Sequence, residues 1–161
     1  MKILGIDPGS ALMGYGVIKK DPTGKLLPLD YGVLKITEKT IPQKLLSLSK
    51  QLDTLLEKTK PDAAGVEQLF FAKNKKTAIE VAHARGVIIM KLLEKNIPLY
   101  EFTPPQVKIA VTGYGLADKI QIASMTAKIL GLEKIHADDN ASDGLAVAIA
   151  TSTAINNPLN Q

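Results

Sequence analysis

Apolar residues occupy most of Lys2 to Ile6, stop at Asp7-Pro8-Gly9 and resume from Gly14 to Ile18. Short apolar runs separated by Pro-Gly predict two strands joined by a turn. Gly24 marks another reversal before a third strand from about Lys25 to Ile36, so an antiparallel meander opens the chain. From Ile41 to Leu56 the period changes. Leu45, Leu48, Leu52, Leu55 and Leu56 recur at three- and four-residue intervals, which aligns them along one side of a helix. Pro42 suits the first turn of that helix, where an N–H is unpaired in any case. After Pro61, the brief apolar segment Ala63 to Val66 leads into Glu67 and reads as a buried strand parallel to the first. Strand, helix, strand makes the class α/β.

A polar, lysine-bearing loop, Ala72 to Lys76, precedes a helical pattern from Thr77 to Glu94 in which Ile79, Ala82, Gly86, Ile89, Met90 and Leu93 share a face. Gly86 costs about 1 kcal/mol relative to Ala inside a helix, and close approach of another helix accounts for it. Ile97 to Phe102 is a further strand candidate, ended by Thr103-Pro104-Pro105, and Gly113-Tyr114-Gly115 makes a second break. Helices are expected over Gln106 to Val111, Asp118 to Leu130 and Ala141 to Thr153. The expected organisation is one domain over residues 1–155 with a polar tail at 156–161, and there is no internal repeat.

At 161 residues the chain has room for one ordinary domain. Its 45% hydrophobic and 22% charged residues suit a packed core. The absence of cysteine rules out disulfides and thiolate metal sites of the zinc-finger type. Asp7-Pro8-Gly9 arrives too early for a secretory signal, and no stretch approaches the roughly 20 apolar residues of a membrane helix. A cytoplasmic protein without membrane association is expected. Twenty Lys and Arg against 16 Asp and Glu give a net charge of +4 and a pI near 9.2, which suits a polyanionic partner.

The candidate chemistry is acidic. Asp7 ends the first strand and Glu67 ends the strand expected beside it, so both converge at the carboxyl edge of the sheet, where α/β folds place their sites. An Asp before Pro-Gly is also an ordinary turn residue. Asp138, Asp139 and Asp143 crowd the start of the last helix. Capping of free N–H groups explains one or two of them, but Asp143 begins an apolar face running through Ala146, Val147 and Ala150 that should meet the sheet. Converging carboxylates need protons or cations, and magnesium takes a few carboxylate oxygens while leaving positions for water and phosphate. With only His83 and His136 as imidazoles, the set favours magnesium or manganese over closed zinc sites.

Five ordered blocks carry a resemblance: ILGIDPGSALMGYGV from Ile3, VEQLFFAKN from Val66, AHARGV from Ala82, PPQVKIAVTGYGLADK from Pro104 and ASDGLAVAIA from Ala141. Through them the chain resembles the RuvC family of bacterial Holliday junction resolvases over essentially its full length. The resemblance implies a ribonuclease-H-like mixed sheet with flanking helices, a homodimer, and a nuclease with up to two magnesium or manganese ions per site that nicks opposed strands of a four-way DNA junction in recombination and repair. RuvA and RuvB, the branch-migration proteins, are its implied partners. It assigns catalytic or metal-binding roles to Asp7, Glu67, Asp143 and the position three before Asp143, here Asn140. Family members generally carry Asp or His there. An Asn carbonyl oxygen can bind a hard cation but brings no charge and cannot act as a base; Asp139 is the alternative ligand if the helix start shifts by one residue.

Lys73, Lys75, Lys76 and Arg85 cluster beyond Phe71 and are expected DNA contacts by position, and the same resemblance places a base-contacting aromatic at Phe70, beside Phe71. It matches Lys108 and Lys119 to lysines near the active site and Ala82 to Leu93 to the dimer interface. Two other readings stand beside it: a junction-binding module disabled for catalysis by Asn140, and a phosphotransferase, because Gly5-Ile6-Asp7-Pro8-Gly9 followed by Gly14 is similar to the phosphate loop of actin-like kinases.

Overall fold

Successive strand residues point to opposite faces. In β1 (Lys2–Asp7) this sends Leu4 and Ile6 to one side of the sheet and Ile3 to the other, and all three are fully buried. Both faces of the sheet are therefore covered. The computed structural model describes residues 1–69, 75–135 and 139–155. β1 is followed by β2 (Leu12–Lys20), β3 (Leu26–Lys35), α1 (Ile41–Thr59), β4 (Ala63–Glu67), α2 (Lys75–Glu94), β5 (Leu99–Phe102), α3 (Pro104–Thr112), α4 (Lys119–Leu130) and α5 (Asp139–Ala154). The sheet order is β3-β2-β1-β4-β5. β1–β2 and β2–β3 pair antiparallel, whereas β1–β4 and β4–β5 pair parallel. The expected opening meander and the expected parallel strand at Ala63 are both present.

Two cores sandwich the sheet. One packs Leu48, Leu52, Leu55 and Leu56 of α1 and Ala84, Ile88 and Leu92 of α2 against Leu4, Ile6, Met13 and Val66. The other joins Val107 and Val111, Ile122 and Leu130, and the buried stripe of α5 to Ile3 and Ile18. The second core depends on glycine. A Cβ on Gly5 would overlap the backbone of Gly144 and Ala148, one on Gly16 would come 2.6 Å from the Leu145 Cα, and one on Gly14 would overlap the carbonyl of Asn140. These strand glycines let α5 lie directly on the backbone of β1 and β2, closer than side chains would allow.

Element ends differ from expectation for local reasons. α1 continues past Leu56 through Glu57 and Lys58, polar residues that carry no apolar period, and ends at Lys60 with φ 47°. β5 starts at Leu99, not Ile97. The Ile97 N–H is spent on the Leu92 carbonyl at the end of α2, and Pro98 contributes only its carbonyl, which accepts from Ala64 N at 2.9 Å. α5 starts at Asp139, two residues before Ala141. Among the described residues no helix is long and apolar enough to cross a membrane.

Candidate active site

Ile6 and Val66 are in register across the parallel β1–β4 pair, so Asp7 and Glu67, each the last residue of its strand, emerge side by side at the carboxyl edge. α5 brings a third carboxylate to the same edge. Its close seat on Gly5, Gly14 and Gly16 fixes the height of its first turns, and Asp143 lies within them. Asp7 is in register with Gly14, and the Asn140 carbonyl packs against Gly14. Asn140 therefore stands beside the strand position paired with Asp7, one helical turn before Asp143.

Two capped helices supply the opposite wall. Gln106 Oε1 accepts from Thr103 N at 2.8 Å, which turns the chain from β5 into α3. Asp118 and Gln121 exchange backbone-to-side-chain bonds of 3.0 and 2.8 Å at the start of α4. This reciprocal box sets Lys119 as the first residue of α4. A cavity of about 290 Å³ results, lined by Asp7, Glu67, Asp143, Lys108, Lys119, Pro104, Val107, Ile122 and Ala146. A second depression of about 180 Å³ lies across Asp7 and Glu67 and is bordered by Pro8, Gln68, Leu69, Val81 and Pro104.

Burial, and then the charge of Asp143, pushes the Asp7 carboxyl up to about 7, against the opposing pull of Lys119. Glu67 is pushed up to about 8 by burial, then by the charges of Asp7 and Asp143, with Lys108 and Lys119 opposing. The three acids thus share one electrostatic neighbourhood. Lys119 Nζ is 3.8 Å from Asp143 Oδ2, and Lys119 is largely exposed, so this contact steers more than it stabilises. Asp7 and Glu67, partly desolvated and each pushed further by a neighbouring carboxylate, have an unmet demand for positive charge. Their donors are all oxygens, which fits a hard divalent cation. Among the described residues no three acidic or imidazole groups close into a compact cage; the carboxylates stand around an open cleft, with room for water and phosphate oxygens.

The cleft gathers five of the residues named from the sequence: Asp7, Glu67, Asp143, Lys108 and Lys119. The side chain of Asp139 lies outside the described set, as do those of Lys75 and Lys76, whose backbone forms the first turn of α2. Phe70, Phe71 and Lys73 lie outside the described residues. Arg85 sits elsewhere. Its guanidinium is ion-paired with Glu101 of β5, and 21% of its side chain is exposed, so it ties α2 to the sheet. The cleft-lining Pro104, Val107 and Ile122 escaped the sequence reading because apolar wall residues look like any other core. The expected apolar face of α2 is real and uncovered: Ile79, Met90 and Leu93 are exposed, and a Cβ at Gly86 would meet nothing within 4 Å.

A family profile described as "Crossover junction endodeoxyribonuclease RuvC" matches residues 3–151. The protein of that name from Petrotoga mobilis is 50% identical over 150 residues, covering 92% of this chain and 91% of that relative. The Thermus thermophilus RuvC structure superposes with a TM-score of 0.87 at 30% identity, covering 96% of each chain. T. thermophilus RuvC in complex with Holliday junction substrate does so with a TM-score of 0.84 at 27% identity, with the same coverage. The chain belongs to the RuvC family of crossover junction endodeoxyribonucleases.

Proposed function

We propose that this protein is a metal-dependent endonuclease that resolves four-way DNA junctions by paired nicks, acting in the cytoplasm during recombination and repair. The observation that carries the reading is the convergence of Asp7, Glu67 and Asp143 with Lys108 and Lys119 on one cleft, in a chain of this family and similar over its length to a relative seen with Holliday junction substrate. A magnesium or manganese ion, or two, would activate a water and offset charge on the leaving oxygen when bound. Asp7, Glu67 and Asp143 would hold it, with Asn140 or Asp139 as the fourth ligand. Lys119 and Lys108 supply the opposite charge across the cleft, where a phosphodiester gains negative charge as it is attacked.

Phe70 and Phe71 follow Leu69, which borders the second depression. Their place in the sequence suits a wedge beside the cleft, with Phe70 taking an unpaired base and Lys73, Lys75 and Lys76 taking phosphates. The uncovered face of α2, with Gly86 at its centre, suits a homodimer that presents two clefts to two strands. RuvA and RuvB are the partners expected from family membership.

Purified protein with magnesium should cut a mobile four-way junction symmetrically and spare linear duplex, and Asp7→Asn should abolish cutting. Cutting by Asp7→Asn, in a preparation free of contaminating nuclease, would overturn the assignment. Tight, salt-sensitive junction binding by the wild type without cleavage under either metal would instead identify a binding module disabled at Asn140.

A further inference from the structure

We infer that the α3–α4 connection is a second DNA-contacting element, in which Tyr114 and Leu116 press on base and sugar faces of the strand held in the cleft. This rests on the function proposed above. Lys108 on α3 and Lys119 at the start of α4 both line the acidic cleft, so the connection between them leaves the cleft and returns to it, and Leu116 stands three residues from Lys119. They are held firmly. Gly113 closes α3 at φ 75° and donates its N–H to the Ile109 carbonyl at 2.8 Å. Thr112 Oγ1 accepts from Tyr114 N at 3.1 Å and donates to the Tyr114 carbonyl at 3.0 Å. Ala117 is buried in the core beneath, and Gly115 packs against Ile109.

A rigid backbone of this kind exposes its largest side chains. Tyr114 is 57% exposed, Leu116 79% and, a turn further on, Ile120 81%. Exposed apolar side chains scattered singly are ordinary; here three fall within seven residues along a well-anchored turn and the helix start after it, which makes the turn a candidate contact surface. The flanking lysines identify the occupant, because interfaces between proteins exclude Lys from their centres, whereas surfaces for nucleic acid strands interleave cations for phosphate with aromatic faces for bases. The uncovered face of α2 has the opposite character at its centre: Gly86, Met90 and Leu93 with no lysine among them. A four-way junction presents unstacked base faces near its crossover that linear duplex does not.

The test is equilibrium binding of a fluorescently labelled junction in EDTA, where nothing is cut, measured across a salt series. Tyr114→Ala should weaken binding by roughly five- to a hundredfold, the loss of one stacked base, and leave the slope of log K against log salt unchanged. Leu116→Ser should weaken it in the same direction, Tyr114→Phe should bind like the wild type, and Lys108→Ala should lower the slope by about one. Leu46→Ala, at an exposed position on α1, is the comparison for a neutral loss of apolar surface. Folding of each variant is checked by thermal melting. Binding by Tyr114→Ala and Leu116→Ser within twofold of the wild type would overturn the inference, and so would a loss accompanied by a reduced slope. A wild type that binds no junction overturns the proposed function itself, a result visible before any variant is made.

Discussion

Replacing Asp7 with Asn should stabilise the protein in the absence of divalent metal, and by an amount that grows with pH. The folded chain holds the Asp7 proton more tightly than the unfolded chain does, at about 7 against 3.8. Stability is therefore lost as pH rises from about 4, where the unfolded chain ionises first, to about 7, beyond which both states are ionised and the loss levels off. Each pH unit of that gap is worth about 1.4 kcal/mol, which sets a ceiling of about 4 kcal/mol. Asn mimics the neutral acid in size but not in hydrogen bonding, so the expected gain at pH 8 is about 2 to 4 kcal/mol, or roughly 5 to 15 °C in melting temperature for a domain of this size. At pH 4 the two proteins should melt alike. Removing the Asp7 charge also relieves Glu67, which that charge pushes upward, so the variant should show a weaker pH dependence altogether. Magnesium should raise the melting temperature of the wild type at pH 8 and move that of Asp7→Asn much less. The assay is thermal unfolding in EDTA from pH 4 to 8, followed by a magnesium titration. An Asp7→Asn protein less stable than the wild type at pH 8 without metal, or a gain equal at pH 4 and pH 8, would refute the picture of desolvated, mutually repelling acids.

Three more expectations concern other parts of the molecule. Lys119→Ala should reduce the single-turnover cleavage rate by roughly a hundredfold while changing junction affinity far less; equal losses in both would make Lys119 only a binding residue. Gly86→Leu should leave the isolated fold as stable as before or slightly more so, because its Cβ enters open space and Gly is a poor interior helix residue. It should nevertheless convert a dimer to monomer in sedimentation, and an unchanged dimer would place the interface elsewhere. Asn140→Asp should tighten magnesium binding by roughly tenfold, since added ligand charge raises cation affinity. Calorimetric titration measures it, and no change there, with a loss in Asp139→Asn, would give the fourth position to Asp139.

Much of the architecture was legible because its signals are periodic. The leucines of α1 and the apolar run of β1 announce themselves, and Asp7 and Glu67 follow from strand ends once a parallel pair is expected. The start of α5 was less legible. The run Asp138-Asp139-Asn140 reads as capping, and nothing local says that Asp139 already opens the helix; the helix is held there by Gly14 on a distant strand. The glycines of the first block illustrate the same limit. Gly5 and Gly14 invite a phosphate-loop reading, yet each is occupied by the backbone of α5, so close packing explains them and the kinase alternative loses its main feature. Arg85 was grouped with lysines by position alone, and its partner Glu101 lies on β5, a strand packed beside α2, a pairing that only the folded chain creates.

The proposed function requires the edge formed by β1, β4 and α5 to hold the ion that drives cleavage. Anomalous diffraction from crystals soaked in manganese tests it most directly. A peak is expected within coordination distance of carboxylate oxygens from Asp7 and Asp143, with Glu67 touching the same ion or a second one beside it, and that peak should be lost in Asp7→Asn crystals. A peak held by other residues, or none at these three acids at a manganese concentration that supports junction cleavage, would contradict it.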